Sequence, residues 1–179
     1  MRPVVAAWPY ELRPWTGADL PWLYDAGQDP DVQRWTSVPS PFSLRDAVAF
    51  LRKAEDGWVS GTNLQLAIVS ADNGLLLGHI VLKDLDWETG HGEVGYWLAP
   101  DARGRGVITV AVGALCTWAF EHIGLGKIEL RASVGNLASQ AVARRCGFAE
   151  LGIEPSGGYD GDERCDNVVF VIRQDESPE

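Results

Sequence analysis

Between Glu93 and Val134 the chain changes its hydrophobic period twice. Glu93-Val-Gly-Tyr-Trp-Leu98 reads as a strand and stops at Ala99-Pro100. Residues 106–123 then carry apolar side chains at 108, 111, 112, 115, 118 and 119, a helical spacing, and Ile128, Leu130, Ala132 and Val134 alternate with Glu129, Arg131 and Ser133 as a second strand. The many β-branched residues after Gly106 favour strand locally, but length and spacing favour helix. Strand, helix, strand is a crossover, and a crossover demands at least one parallel pairing. This unit excludes an all-helical bundle and a sheet made only of hairpins.

The flanking segments complete a mixed domain. Residues 10–15 alternate weakly and meet Pro14, which predicts a short edge strand. Thr16 or Asp19 can cap a helix through Leu20, Leu23, Tyr24 and Ala26 to Gly27, and the proline-bearing segment 28–42 reads as a loop with at most a turn of helix. Ser43 and Asp46 resemble a capping box ahead of Leu44, Ala47, Val48 and Leu51, with Gly57 placed as the left-handed residue that ends the helix. Leu64 to Leu85 around Ala71-Asp-Asn-Gly74 is a predicted hairpin. Asp86 to Gly92 is a turn, Asn136 to Cys146 a short helix closed by Gly147, and Phe148 the start of a strand. A loop rich in glycine and acids (152–167) precedes a last strand, Val168 to Ile172, and residues 174–179 form a polar tail. The expected fold is a single α/β (α+β) domain over residues 1–173, with a mixed, mostly antiparallel sheet of about seven strands and about four helices.

Composition narrows the partners. A chain of 179 residues has room for one sizeable core. Fifteen Lys and Arg against twenty-five Asp and Glu give a net charge of −10, which repels phosphate backbones and anionic lipid, so neither nucleic acid nor a membrane surface is an expected partner. No apolar run approaches the ~20 residues of a membrane helix. The apolar stretch after Arg2 is too brief for a signal peptide and is cut by Pro9, so a cytoplasmic location is expected. Cys116, Cys146 and Cys165 are too few and scattered for a disulfide framework, and His79, His91 and His122 show no metal-ligand spacing. No metal is expected.

The turn Arg103-Gly-Arg-Gly106 joins the first strand of the crossover to its helix. Glycines let a backbone approach a ligand, the free N–H groups of a first helical turn point at it, and the helix dipole adds about half a positive charge. The simpler alternative is a tight turn with two solvated arginines. Other phosphate motifs fail: Gly124-Leu-Gly126 is followed by Glu129 where a dinucleotide fingerprint wants glycine, and Lys127 by Ile128 where a P-loop wants Ser or Thr.

Arg103-Gly-Arg-Gly106, following Glu93-Val-Gly-Tyr-Trp-Leu98, resembles the acyl-CoA pyrophosphate loop of the GNAT acetyltransferase superfamily. Asn136-Leu-Ala-Ser139 leading to Cys146-Gly-Phe148 resembles the next motif of its ribosomal-protein alanine N-acetyltransferase branch. Position 108 departs from the pattern, with Ile where Gly or Ala is usual. The resemblance implies acetyl-CoA as cosubstrate, held by Arg103, Gly104, Arg105, Gly106, Val107, Ile108, Asn136 and Ser139 and by the backbone amides of Trp97 and Leu98. It also implies direct attack by an amine in a ternary complex.

Acetyl transfer from a thioester needs a neutral amine, a polarised carbonyl and a proton donor for a thiolate whose parent pKa is about 8.5. No Gly-x-Ser-x-Gly elbow offers a rival nucleophile. Glu93 is the expected base; its alternative is a solvated strand carboxylate, and His79 or His91 could substitute. Ala143 stands where many relatives carry a tyrosine acid, and Ser139 matches the serine that replaces it in the alanine N-acetyltransferase branch. Ser139 could equally be a helix-surface hydroxyl, and Asn136 only an N-cap. Trp35, in the loop 34–42, and Tyr159, in the acidic loop, would flank the acceptor if the family layout holds. At a cytoplasmic pH of about 7.4 an α-amine of pKa about 7.8 costs about half a kcal/mol to neutralise and a lysine of about 10.4 costs about four, which mildly favours a low-pKa amine. The expected acceptor is a peptide amino terminus or a small-molecule amine, with antibiotic modification or a non-catalytic acyl-CoA binder as alternatives. A homodimer is admitted but not specified.

Overall fold

Eight strands form one sheet in the order β1-β2-β3-β4-β5-β6-β8-β7 in a computed structural model that describes residues 3–174. The strands are β1 (Val5–Ala7), β2 (Tyr10–Pro14), β3 (Leu64–Ser70), β4 (Leu76–Asp86), β5 (His91–Leu98), β6 (Lys127–Ser133), β7 (Ala149–Asp160) and β8 (Glu163–Arg173). The helices are α1 (Leu20–Ala26), α2 (Pro30–Trp35), α3 (Leu44–Ser60), α4 (Val107–His122) and α5 (Leu137–Arg145). Every pairing is antiparallel except β5 with β6, the pair that the crossover requires. Residues 175–179 of the polar tail lie outside the described residues.

Strand alternation divides the sheet between two cores. Leu12, Leu66, Ile80, Leu82, Val94, Ile128, Leu130 and Phe170 pack with Val107, Ala111, Val112, Leu115 and Ala119 of α4 and with Val142 and Ala143 of α5. Burial of that face of α4 overrides the strand propensity of its β-branched residues. On the other face Trp15, Ala67, Val69 and Trp97 pack against Leu23, Ala26, Val32, Phe42, Ala47 and Ala54 from α1, α2, α3 and their loops.

Four expectations change. The strand at residues 10–15 is not an edge, because β1 pairs outside it; three residues are too few to show a period. Segment 28–42 holds α2, capped by Asp29, whose carboxylate accepts from Val32 N at 3.0 Å, with Pro30 in the first helical position. Helix α3 runs past Gly57 to Ser60 and ends at Gly61 in the left-handed region (φ 69°). Gly57 is there for space instead: a Cβ on it would lie 2.2 Å from the Asn63 side chain. The acidic segment 152–167 is mostly strand, since β7 and β8 form a long hairpin whose alternation is broken by register shifts at Glu150/Gly152 and Glu154/Gly158.

Candidate active site

The parallel ladder of β5 and β6 spans only His91, Glu93 and the residue between them against Lys127 to Glu129. Beyond that the strands part. Residues 94–98 point alternately to the two faces of the sheet, yet all five line one cleft of about 1610 Å³ together with Leu130, Arg131, Ala132 and Ser133 of β6. Only a gap in the sheet allows this, and it leaves backbone groups of β5 without a ladder partner.

At the end of β5 a 3-10 turn (Pro100–Ala102) leads through Arg103 to Gly104 and Gly106, both at positive φ (69° and 75°). A Cβ at either would meet nothing within 4 Å, so backbone conformation and not space calls for glycine. Helix α4 starts at Val107, and its first intrahelical bond is Val110 N to Gly106 O at 3.2 Å. The amides of Val107, Ile108 and Thr109 therefore lack a helical partner, and these residues line the cleft. Ile108 is nearly buried within the core cluster around α4 and also borders the cleft.

Arg103 borders the same cleft, but its guanidinium is already committed. Its guanidinium binds the Asp29 carboxylate, Asp31 Oδ2 at 2.9 Å and the Leu98 carbonyl at 3.0 Å, and the Arg103 backbone N–H donates to Pro100 O. It braces the loop and ties it to α2. Arg105 is exposed and makes one long contact, 3.4 Å, to Asp101 O. At the other end of α2, Arg34 pairs with Asp160 on β7, and Gly161 N donates to Arg34 O at 2.9 Å. Helix α2 thus spans the cleft from the glycine loop to the β7–β8 hairpin. Trp35 lies beneath Arg34 (4.4 Å), Tyr159 beneath Arg164 (4.5 Å), and both rings line the mouth.

Glu93 is buried on the floor. Sheet register sets Lys83 directly opposite it on one side and Glu129 on the other. Its carboxylate pairs with Lys83 Nζ at 2.8 Å and with Arg131, which also reaches Glu129 at 2.7 Å and Glu154 at 3.4 Å. Burial opposes the Arg131 charge, but the Glu93, Glu129 and Glu154 carboxylates outweigh it and raise the Arg131 pKa. Glu154 and Asp160, acids of the 152–167 segment, are each engaged by an arginine.

Asn136 caps α5 by accepting from Ser139 N at 3.0 Å, which fixes Ser139 in the first turn. The Ser139 hydroxyl lies 2.9 Å from that of Tyr96, on the strand opposite. Burial pushes the Tyr96 phenol well above its ordinary pKa. Trp97 is buried and stacked on Trp22 at 6.0 Å. His79 borders the cleft, but its Nδ1 accepts from Trp15 Nε1 at 3.3 Å, which engages that lone pair, and burial lowers its pKa to about 3. His91 stands beside Glu129 at the closed end of the ladder and does not line the cleft. Among the described residues no group of three or more His, Cys, Asp or Glu side chains is arranged to hold a metal ion.

Lys83, Arg131, Tyr96, Asp29 and Asp31 were not expected at the site. Tyr96 sits in an apolar strand pattern and reads as core; the Asp29-Pro30 pair was the visible signal for α2.

The sequence matches the Acetyltransferase (GNAT) domain family over residues 10–149. It is 39% identical over 100 residues to the putative ribosomal N-acetyltransferase YdaF of Bacillus subtilis, a match covering 56% of this chain and 55% of that protein. It is 24% identical to the uncharacterized N-acetyltransferase YnaD of the same organism, over 93% of this chain and 92% of that one. A probable acetyltransferase of known structure superposes with TM-score 0.86 at 26% identity, covering 97% and 98% of the two chains. The ribosomal-protein acetyltransferase RimL in complex with coenzyme A superposes with TM-score 0.89 at 19% identity, covering 98% and 100%. A single mixed α/β sheet parted beside a glycine loop, and a family match spanning most of that architecture, lead to one conclusion: the chain belongs to the GNAT acetyltransferase family.

Proposed function

We propose that the chain transfers an acetyl group from acetyl-CoA to a primary amine by direct attack within a ternary complex. The observation that carries this is the shared cleft: unpartnered first-turn amides of α4, the positive-φ loop at Gly104 and Gly106, and the open edge of β5 all border one space. A nucleotide-bearing thioester needs that combination, an anion site beside a strand edge able to hydrogen-bond an extended amide arm. When bound, the cosubstrate supplies an activated acetyl group.

The amides of Gly104, Arg105, Gly106, Val107 and Ile108 hold the diphosphate, and Arg103 keeps their loop in place through Asp29, Asp31 and Leu98. The backbone of Trp97 and Leu98 orients the arm and polarises the carbonyl. Asn136 contributes by fixing the first turn of α5. Glu93 accepts the amine proton, directly or through water. Lys83 and Arg131 hold its carboxylate in position, and the lone pairs outside those two ion pairs remain for the substrate. Ser139 serves the departing sulfur. Trp35 and Tyr159 border the acceptor's approach.

Kinship with YdaF favours a peptide amino terminus as acceptor, the amine that costs least to neutralise. A spermidine N-acetyltransferase from Vibrio cholerae shares the fold (TM-score 0.82, 17% identity), and small polyamines belong in the same screen. The test is release of free CoA across a panel of short peptides, polyamines and amino sugars, beside calorimetry with acetyl-CoA. Turnover with at least one amine class is expected. Absence of acetyl-CoA binding rejects the cosubstrate; binding without turnover on any amine makes the chain an acyl-CoA binder instead.

A further inference from the structure

We propose that Tyr96 is a positioning residue that orients the Ser139 hydroxyl so that the serine proton, and not a lone pair, is presented to the cleft. This rests on the acetyl-CoA reading above and adds to it a residue that composition and motif leave in the core.

The two side chains come from different elements, Tyr96 from the open half of β5 and Ser139 from the first turn of α5, and both line the cleft. Their oxygens are 2.9 Å apart, and the Tyr96 oxygen is also 3.4 Å from the Ser139 carbonyl. Two hydroxyls at that distance share one hydrogen bond, and the remaining partners decide which donates. Among the described residues the acceptors within hydrogen-bond reach of the phenol both belong to Ser139, and the hydroxyl oxygen is the closer. Were Ser139 the donor, the phenol proton would be left with the longer carbonyl contact in a largely buried place, an unfavourable exchange for the stronger donor of the two. Burial also keeps the phenol protonated, as it does the neighbouring Cys146 thiol, whose pKa rises to about 11.

With Tyr96 donating, the serine proton turns away from the phenol. In a helix its usual refuge is the carbonyl four residues earlier. Among the described residues Ser139 Oγ has no hydrogen-bond partner except Tyr96, and its backbone is pinned by the Asn136 cap. A half-buried O–H is thus aimed into the cleft with no protein acceptor. The fitting ligand group is a soft acceptor that gains negative charge, such as the sulfur of a departing thiolate, which a hydrogen bond favours over its thiol form.

The test reads the thiol of CoA bound to the full chain, followed by ultraviolet thiolate absorption across pH against the complex with desulfo-CoA as blank, in wild type, Tyr96→Phe, Ser139→Ala and the double variant. Near-ultraviolet circular dichroism and CoA affinity verify that each variant is folded. The expected result is a bound-thiol pKa raised by about one unit in Ser139→Ala, raised by most of that in Tyr96→Phe, and raised no further in the double variant. With an amine acceptor, kcat falls about tenfold in each single variant at unchanged KM for acetyl-CoA, and the losses do not add. A Tyr96→Phe protein whose bound thiol titrates as in wild type, or shifts that sum in the double variant, overturns the positioning role and leaves the acetyl-CoA reading standing. Failure of wild type to bind CoA overturns both.

Discussion

The two sides of the cleft are made of different material. The side bordered by Gly104, Gly106 and the start of α4 is main chain: positive-φ turns and helix-end amides, with its one committed arginine serving as a brace. The opposite floor and mouth are side chains in ion pairs, Lys83–Glu93–Arg131–Glu129 across three strands and Arg34–Asp160 across the top. A site of backbone geometry tolerates change in its side chains and fails when a dihedral is forbidden. A site of paired charges keeps its shape under backbone-neutral substitutions but loses chemistry when one partner goes.

Five variants press on that difference. Glu93→Gln should have the largest effect, lowering kcat about a hundredfold by removing the proton acceptor, with acetyl-CoA affinity within a factor of two by calorimetry. A matching loss of affinity would dissolve the distinction between the two sides. Gly106→Val should weaken acetyl-CoA binding about tenfold, because a β-branched residue in the left-handed region costs about 1–2 kcal/mol, whereas Arg105→Ala changes it far less. Equal losses from both would make the loop a charge site after all.

His79 should appear in acid stability. Its folded pKa of about 3 lies below the unfolded value of 6.5, so in that interval the unfolded chain binds the extra proton and stability falls as pH falls. Denaturant titrations should show a slope approaching about 1.4 kcal/mol per pH unit between about pH 6 and 5, flattened in His79→Gln; below about pH 5 lowered carboxylates such as Asp19 and Glu129 add to the loss. The smallest effect belongs to Arg34→Ala, an exposed pair at the mouth. It should raise the KM of the amine a few-fold in steady-state assays and leave that of acetyl-CoA unchanged.

The same division explains what could be read from the chain before any coordinates. The glycine loop is contiguous and announces itself in four residues, and α4 is long enough for its spacing to overrule valine and isoleucine. The six-residue α2 is shorter than two turns and shows no period, although Asp29-Pro30 marks its start. Strands β7 and β8 carry register shifts that erase the alternation by which a strand is recognised. Lys83, Glu93 and Arg131 lie far apart in sequence and meet only through the pairing of β4, β5 and β6, so no local pattern couples them. Tyr96 shares an apolar stretch with Val94 and Leu98, and only the position of α5 shows that its hydroxyl meets Ser139 rather than a carbonyl in the core.

The early end of the ladder between β5 and β6 has one more consequence. Because neighbours on β5 look in opposite directions and still border the same void, that void is a corridor and not a pit. On the proposed reading, the cosubstrate and the amine approach that passage from opposite faces of the sheet.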